Sequence, residues 1–363
     1  MFSTTRLSEQ MEGRKNNLDA IRLIAALLVI VDHSYVIEGK VPFVDRHLGF
    51  SLGTVAVGTF FFISGILITQ SWLHDPNSYR YIARRVLRVY PAYLVCILIC
   101  TFVVGLLFTT IKIQDYLTDK MTWIYLLRNL SLTSLTYDLP GVFADNPYPQ
   151  TVNGSIWTLP LEIAGYVFIL LLGMTQLIKR REVLLVLCLT VFTLYIFHGL
   201  QGAPADSLLS KLSIPQVAPI AFGFLSGATV TLYRDKIKLN YVFALCALVF
   251  LVATFKSNFS MLGLYVGWMY FILVIGFKHW KVAEFLTIPG DLSYGIYIYA
   301  FPVQQILAQL LNLGSPMLNA LISTVIVYPI AFISWRFVEK PSLKLKPKAV
   351  KPRVELSGSS SDS

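Results

Sequence analysis

The sequence reads as an all-α polytopic membrane bundle of about ten transmembrane helices with both termini cytoplasmic. Composition is the first reason: 55% of the 363 residues are hydrophobic and only 14% are charged, far from the balance of soluble domains. Apolar runs are the second. A helix of about 20 apolar residues crosses the hydrocarbon core, and such runs recur along nearly the whole chain. The third is where the basic residues fall between those runs.

The runs place spans at about 18–37, 50–72, 89–111, 154–178, 183–199, 215–233, 240–255, 259–277, 291–312 and 317–338, the fifth and seventh being short. With the N-terminus inside, Arg6, Arg14 and Lys15 are cytoplasmic. So are Arg80, Arg84, Arg85 and Arg88, then Lys179, Arg180 and Arg181, then Arg234, Lys236 and Lys238, then Lys278 and Lys281, and finally the tail lysines and Arg353. That sets 21 basic residues inside against seven outside, the positive-inside pattern. The net charge of +10 is thereby a matter of topology, and no nucleic-acid partner is implied.

The first span should be retained rather than cleaved, because Asp32 and His33 interrupt its far end and no small-x-small site follows. Cys96, Cys100, Cys188 and Cys246 lie in spans without CxxC or metal-ligand spacing, so they read as packing residues and no metal is expected. The one long loop, 112–153, carries Asp138, Pro140, Gly141, Asn146, Pro147 and Pro149, which form turns and break helices. It is expected outside, either as an acceptor-binding cap or as a plain connection, with 121–132 suited to lie along the interface. The chain divides into a membrane domain, 1–341, and a basic, Ser-rich tail, 342–363, expected to be disordered and cytoplasmic.

Ionisable groups inside a bilayer are costly, which singles out Arg22, Asp32, His33 and Glu162. Their bland readings are interfacial placement and snorkelling to the headgroups. Arg22 and His33 are eleven residues apart, close to three helical turns, so they share one face with about 16 Å between them. Asp32 points about 100° away. Glu162, at a similar expected depth, offers His33 a carboxylate that would orient a general base. On these residues alone, catalysis, a proton pathway and structural polar packing all stay open.

Arg84, Arg85 and Arg88 precede the third span, and Arg85 and Arg88 share a helix face. The cluster is either a stop-transfer anchor or a phosphate site, since guanidinium forks bind phosphate oxygens in bidentate fashion. Ser64 and Gly65 suit close helix packing, while Trp157, Tyr166, Tyr294, Tyr297 and Tyr299 equally suit an interface.

Taken in order, LDAIRLIAALLVIVDH, FFFISGILI, ARRVLRVYP, NGSIWTLPLEIAGY, LSYGIYIYAFP and FVEKP resemble the bacterial acyltransferase 3 family of membrane acyltransferases, from about residue 18 to residue 341. The resemblance implies transfer of an acyl group, commonly acetyl, from cytoplasmic acetyl-CoA to a sugar hydroxyl of an envelope or secreted glycan. Acceptors of that class include lipopolysaccharide O-antigen, exopolysaccharide and lipid-linked oligosaccharide, and the place is the bacterial inner membrane. It also implies essential roles for Arg22, His33, Arg85 and Arg88. The expected mechanism holds the coenzyme A phosphates on Arg85 and Arg88 with Arg84 in support, threads the pantetheine arm past Arg22, and uses His33, oriented by Glu162, as general base, with a covalent acyl-enzyme relay as the alternative. Where relatives often carry His after the Ser-Tyr-x-x-Tyr segment, this chain has Ala300, so no role resting on that His applies. The rival readings are a proton-coupled transporter or glycan flippase and a non-catalytic sensor or scaffold.

Overall fold

The computed structural model describes residues 5–13, 16–42, 50–201, 214–257, 259–278 and 280–347. Residues 348–363, most of the expected tail, lie outside these, as do Arg14, Lys15, Arg46 and Lys211. The described chain is mostly helical. We label its principal helices α1 (Leu18–Ile37), α2 (Leu52–His74), α3 (Ser78–Phe108) and α4 (Gly154–Met174). They continue as α5 (Arg181–Gln201), α6 (Ile214–Leu232), α7 (Tyr241–Ala253), α8 (Ser260–Phe277), α9 (Ser293–Leu311) and α10 (Pro316–Lys344).

A helix thus stands at every segment where the apolar runs predict one. Six of them, α1, α2, α3, α4, α8 and α10, are long and apolar enough to cross a membrane. Large apolar side chains face outward along the bundle, among them Leu107, Val186, Leu245, Val325 and Phe337, which marks a surface meant for lipid. This is a membrane protein.

Two helices exceed their expected lengths. At 31 residues, α3 is about 46 Å long against a hydrocarbon core of about 30 Å. Its first three turns carry Arg80, Arg84, Arg85 and Arg88, so the arginine cluster is part of the helix rather than a segment before it. The 29-residue α10 runs past its expected end to Lys344 through a wide π-type turn at Trp335–Glu339. Such turns insert a residue and re-aim the side chains that follow; here Glu339 ends up buried.

The tightest helix pair is α2 with α6. A Cβ on Gly65 would run into the Phe224 carbonyl and one on Gly227 into the Phe62 carbonyl, so these glycines let the two backbones touch, as small residues do in membrane interfaces. Gly227→Leu should therefore cost about 1–3 kcal/mol of stability. Gly58→Ala, on the same helix pair with open space at its Cβ, should cost almost nothing. Thermal unfolding of the two purified variants in one detergent makes the comparison.

At one end of the bundle the N-terminal strand Thr5–Arg6 pairs antiparallel with Lys238–Leu239. Loop 112–153 is folded: short helices at Ile113–Thr118 and Lys120–Ser131 precede an irregular stretch pinned to α9. Asn146 donates to the Gln305 carbonyl (3.0 Å), and Gln305 Nε2 donates to the carbonyls of Tyr148 and Thr151 (2.8 Å each). Segment 121–132 is amphipathic, burying Thr122, Tyr125, Leu126 and Asn129 and exposing Trp123 and Leu127. Cys96, Cys100 and Cys188 are buried and Cys246 is exposed, all as free thiols.

Candidate functional site

Arg22 on α1 and Arg88 on α3 point toward each other between the helices. Two buried guanidinium groups repel unless a carboxylate sits between them. Asp291, just before α9, is that carboxylate: its Oδ2 accepts from Arg22 Nη1 (2.7 Å) and from Arg88 Nη2. Its Oδ1 accepts from the Ser293 backbone N–H (3.2 Å) and hydroxyl (2.5 Å), capping the start of α9. Gly290 makes the placement possible, because its φ of +118° and its contact with the Trp335 indole exclude a side chain. Glu339 adds a second carboxylate 3.9 Å from Arg88.

Arg22, Arg88 and Asp291 line a cavity of about 360 Å³ that also takes in Asp19, Ser64, Arg85, Thr158, Glu162, Tyr166, Tyr294, Tyr297 and Lys346. Its size is that of a small-molecule pocket. Arg85 lies over the Tyr166 ring (5.8 Å to the centroid), and its Nε is buried with no hydrogen-bond partner. Tyr166 donates its hydroxyl to Glu162. Arg84 does not line the cavity; with Arg80 it holds Asp75 in the α2–α3 connection. Hydrogen bonds from Arg80 chiefly, and from Arg84, draw the Asp75 carboxyl down to about 2.

A second cavity of about 360 Å³ lies further along α1, lined by Asp32, His33, Ser51, Thr54, Trp157, Tyr195 and Met261 among others. Val57 lines both cavities, so they adjoin across α2. The half-buried His33 ring meets the edge of Phe301 (centroids 5.2 Å apart, planes at 78°), and Phe301 in turn meets Tyr148 of the long loop. His33 Nδ1 is 3.4 Å from Ser155 Oγ. With Nδ1–H donating to Ser155, Nε2 is left as the free acceptor. Asp32 Oδ1 is buried without a partner, and Asp32 lines the same cavity as His33.

The structure therefore brings Arg22, Arg85, Arg88 and Glu162 to one cavity and puts His33 in another. It does not join Glu162 to His33: the one faces Tyr166, the other Ser155. The physical reason is helix geometry. His33 is beside Ser155 at the start of span four, and Glu162 is seven residues further along the same span, about 10–12 Å along its axis. Asp291, Glu339 and Ser155 join the site without standing out in the sequence as buried charged or polar groups. The signal for Asp291 was present: an Asp two residues before a Ser that opens a helix is a capping pattern, and its charge stands at the edge of an apolar run.

Comparisons with known proteins agree with one another. The acyltransferase 3 family, described as an acyltransferase domain, matches residues 15–336. The chain is 29% identical to the O-acetyl transferase of Shigella phage Sf6, over 90% of this chain and 96% of that one. It is 26% identical to nodulation protein 10 of Rhizobium leguminosarum bv. viciae, over 96% and 99%. It is 24% identical to the peptidoglycan O-acetyltransferase OatA of Listeria monocytogenes serovar 1/2a, over 95% of this chain and 58% of the longer Listeria protein. No solved structure matches significantly.

Proposed function

This chain belongs to the acyltransferase 3 family, and from that premise we propose that it is a bacterial inner-membrane O-acyltransferase taking an acetyl group from acetyl-CoA. The acceptor is a sugar hydroxyl of an envelope or secreted glycan, of the O-antigen, exopolysaccharide or lipid-linked oligosaccharide class. Two relatives bearing O-acetyl-transfer names support the reaction type. The observation that carries the reading is the pair of adjoining cavities, one lined by arginines and one by His33, about three turns apart on α1.

In this reading the arginine cavity binds the donor. Arg85 presents an unsatisfied buried N–H suited to a phosphate oxygen, while Asp291 keeps Arg22 and Arg88 extended toward the cavity. The acyl end reaches past Val57 toward His33. There His33 Nε2 takes the proton of the acceptor hydroxyl as its oxygen attacks the thioester carbonyl. Collapse of the tetrahedral intermediate expels the coenzyme A thiolate, which receives the proton from the imidazolium, so ester and free thiol are the products. Ser155 fixes the tautomer.

Purified protein in lipid, given labelled acetyl-CoA and an envelope glycan extract, should release free thiol and move label to glycan in equal amounts. Substrate flux across vesicles without thiol release would instead establish the transporter reading. Mass spectrometry of envelope glycans from a deletion strain then identifies the acceptor by its missing acetyl increment.

A further inference from the structure

Basic groups around the arginine cavity are not equally matched. Arg22 and Arg88 share Asp291, and Arg80 and Arg84 share Asp75. Among the described residues, Arg85 and Lys346 form no ion pair, yet both line the cavity. Lys346 comes from beyond α10. The helix carries on to Lys344 and the chain then turns across α3, where Arg84 Nη2 donates to the Pro347 carbonyl (3.4 Å). The turn thus brings a fourth cation to the arginine cavity, beside Arg22, Arg85 and Arg88. Burial first, and then Arg85, Arg88 and Arg84, push the Lys346 ammonium down to about 8. The other charged groups on this cavity are Asp19 and Arg22 from α1, Glu162 from α4 and Asp291 before α9. The carboxylates among them already face Arg22, Arg88 or Tyr166.

Like charges gathered in a partly dry pocket repel, and a bound anion relieves them. We propose that Lys346 is a donor-binding residue, which together with Arg85 holds the phosphates of the acyl donor, and that the C-terminal turn carrying it closes the inner mouth of the cavity. The proposal rests on the acyl-CoA reading. It gives residues 345–347 a part in binding, where the sequence pattern suggests only the start of a basic tail.

The test compares two donors on the full-length protein: acetyl-CoA, and S-acetyl-pantetheine, which has no phosphate. Lys346→Ala should raise KM for acetyl-CoA about tenfold, the worth of one charge-assisted contact, and raise it far less for the phosphate-free donor. Wild-type KM for acetyl-CoA should also climb as pH rises through about 8, because the ammonium is charged below that value and neutral above it. Lys346→Arg should keep the affinity and flatten the climb. Equal losses on both donors would reduce Lys346 to a structural strap, and no loss on either would remove it from the site; each overturns the proposal. A wild-type protein indifferent to acetyl-CoA would overturn the acyl-CoA reading as well, so the two failures are told apart by the wild-type control.

Discussion

Acyl transfer by the His33→Ala protein should fall by about 10²- to 10⁴-fold, the usual contribution of a positioned general base, with insertion and donor KM near those of wild type. The split between kcat and KM follows from the geometry. His33 lines one cavity and packs on Ser155 and Phe301, whereas the arginines line the other. Removing the imidazole leaves every ion pair around Arg22 and Arg88 intact, so the donor should bind as before. Ser155→Ala keeps the ring and loses only its tautomer-setting partner, and should cost less than His33→Ala. Purified variants assayed by thiol release over a range of acetyl-CoA concentrations give both constants. Wild-type turnover by a correctly inserted His33→Ala protein would remove the base from the mechanism, and a rise in donor KM alone would move His33 to the binding step.

Much of this arrangement is legible in the sequence. Helix α1 spans the residues its apolar run predicts, and the eleven-residue spacing of Arg22 and His33 correctly sets them far apart along one helix. Gly65 reads as a close-packing residue and meets the α6 backbone. What stays hidden is contact between distant segments. Hydropathy finds where apolar sequence stops, not where a helix stops, so α3 begins 11 residues before its expected start: Arg and Lys favour helices even where they end an apolar run. His33 stands only four residues from the end of α1, about 6 Å, whereas Glu162 is eight residues, about 12 Å, from Gly154 at the start of α4, so the two are not at one depth. Asp291 and Glu339 stand at the margins of their apolar runs, where a carboxylate looks solvated. Their importance arises only when α9 and α10 pack against α1 and α3.

Asp291→Ala should cost more stability than any other single carboxylate removal at the site, about 3–5 kcal/mol, the range for breaking a buried ion pair by deleting one partner. One oxygen of Asp291 binds both Arg22 and Arg88, whose side chains are 17% and 15% exposed. Without it the nearest carboxylates are Asp19, 4.0 Å from Arg22, and Glu339, 3.9 Å from Arg88, and neither makes a hydrogen bond to those arginines. Two cations would then face each other across a cavity whose remaining walls are largely aromatic and aliphatic. Asp291→Asn is the sharper variant, because its one amide oxygen can keep the Ser293 bonds while the charge and the acceptor facing the arginines are lost. Its loss should fall between wild type and Asp291→Ala. Glu182→Ala, which removes the exposed partner of Arg181, should cost no more than about 1 kcal/mol. Thermal unfolding of the three variants in one detergent, at a pH well above the carboxylate range, ranks them directly. If Asp291→Ala and Glu182→Ala lost equally little, the arginines would be solvated through the cavity mouth, and the carboxylate would owe its place to capping α9 rather than to holding the donor site open.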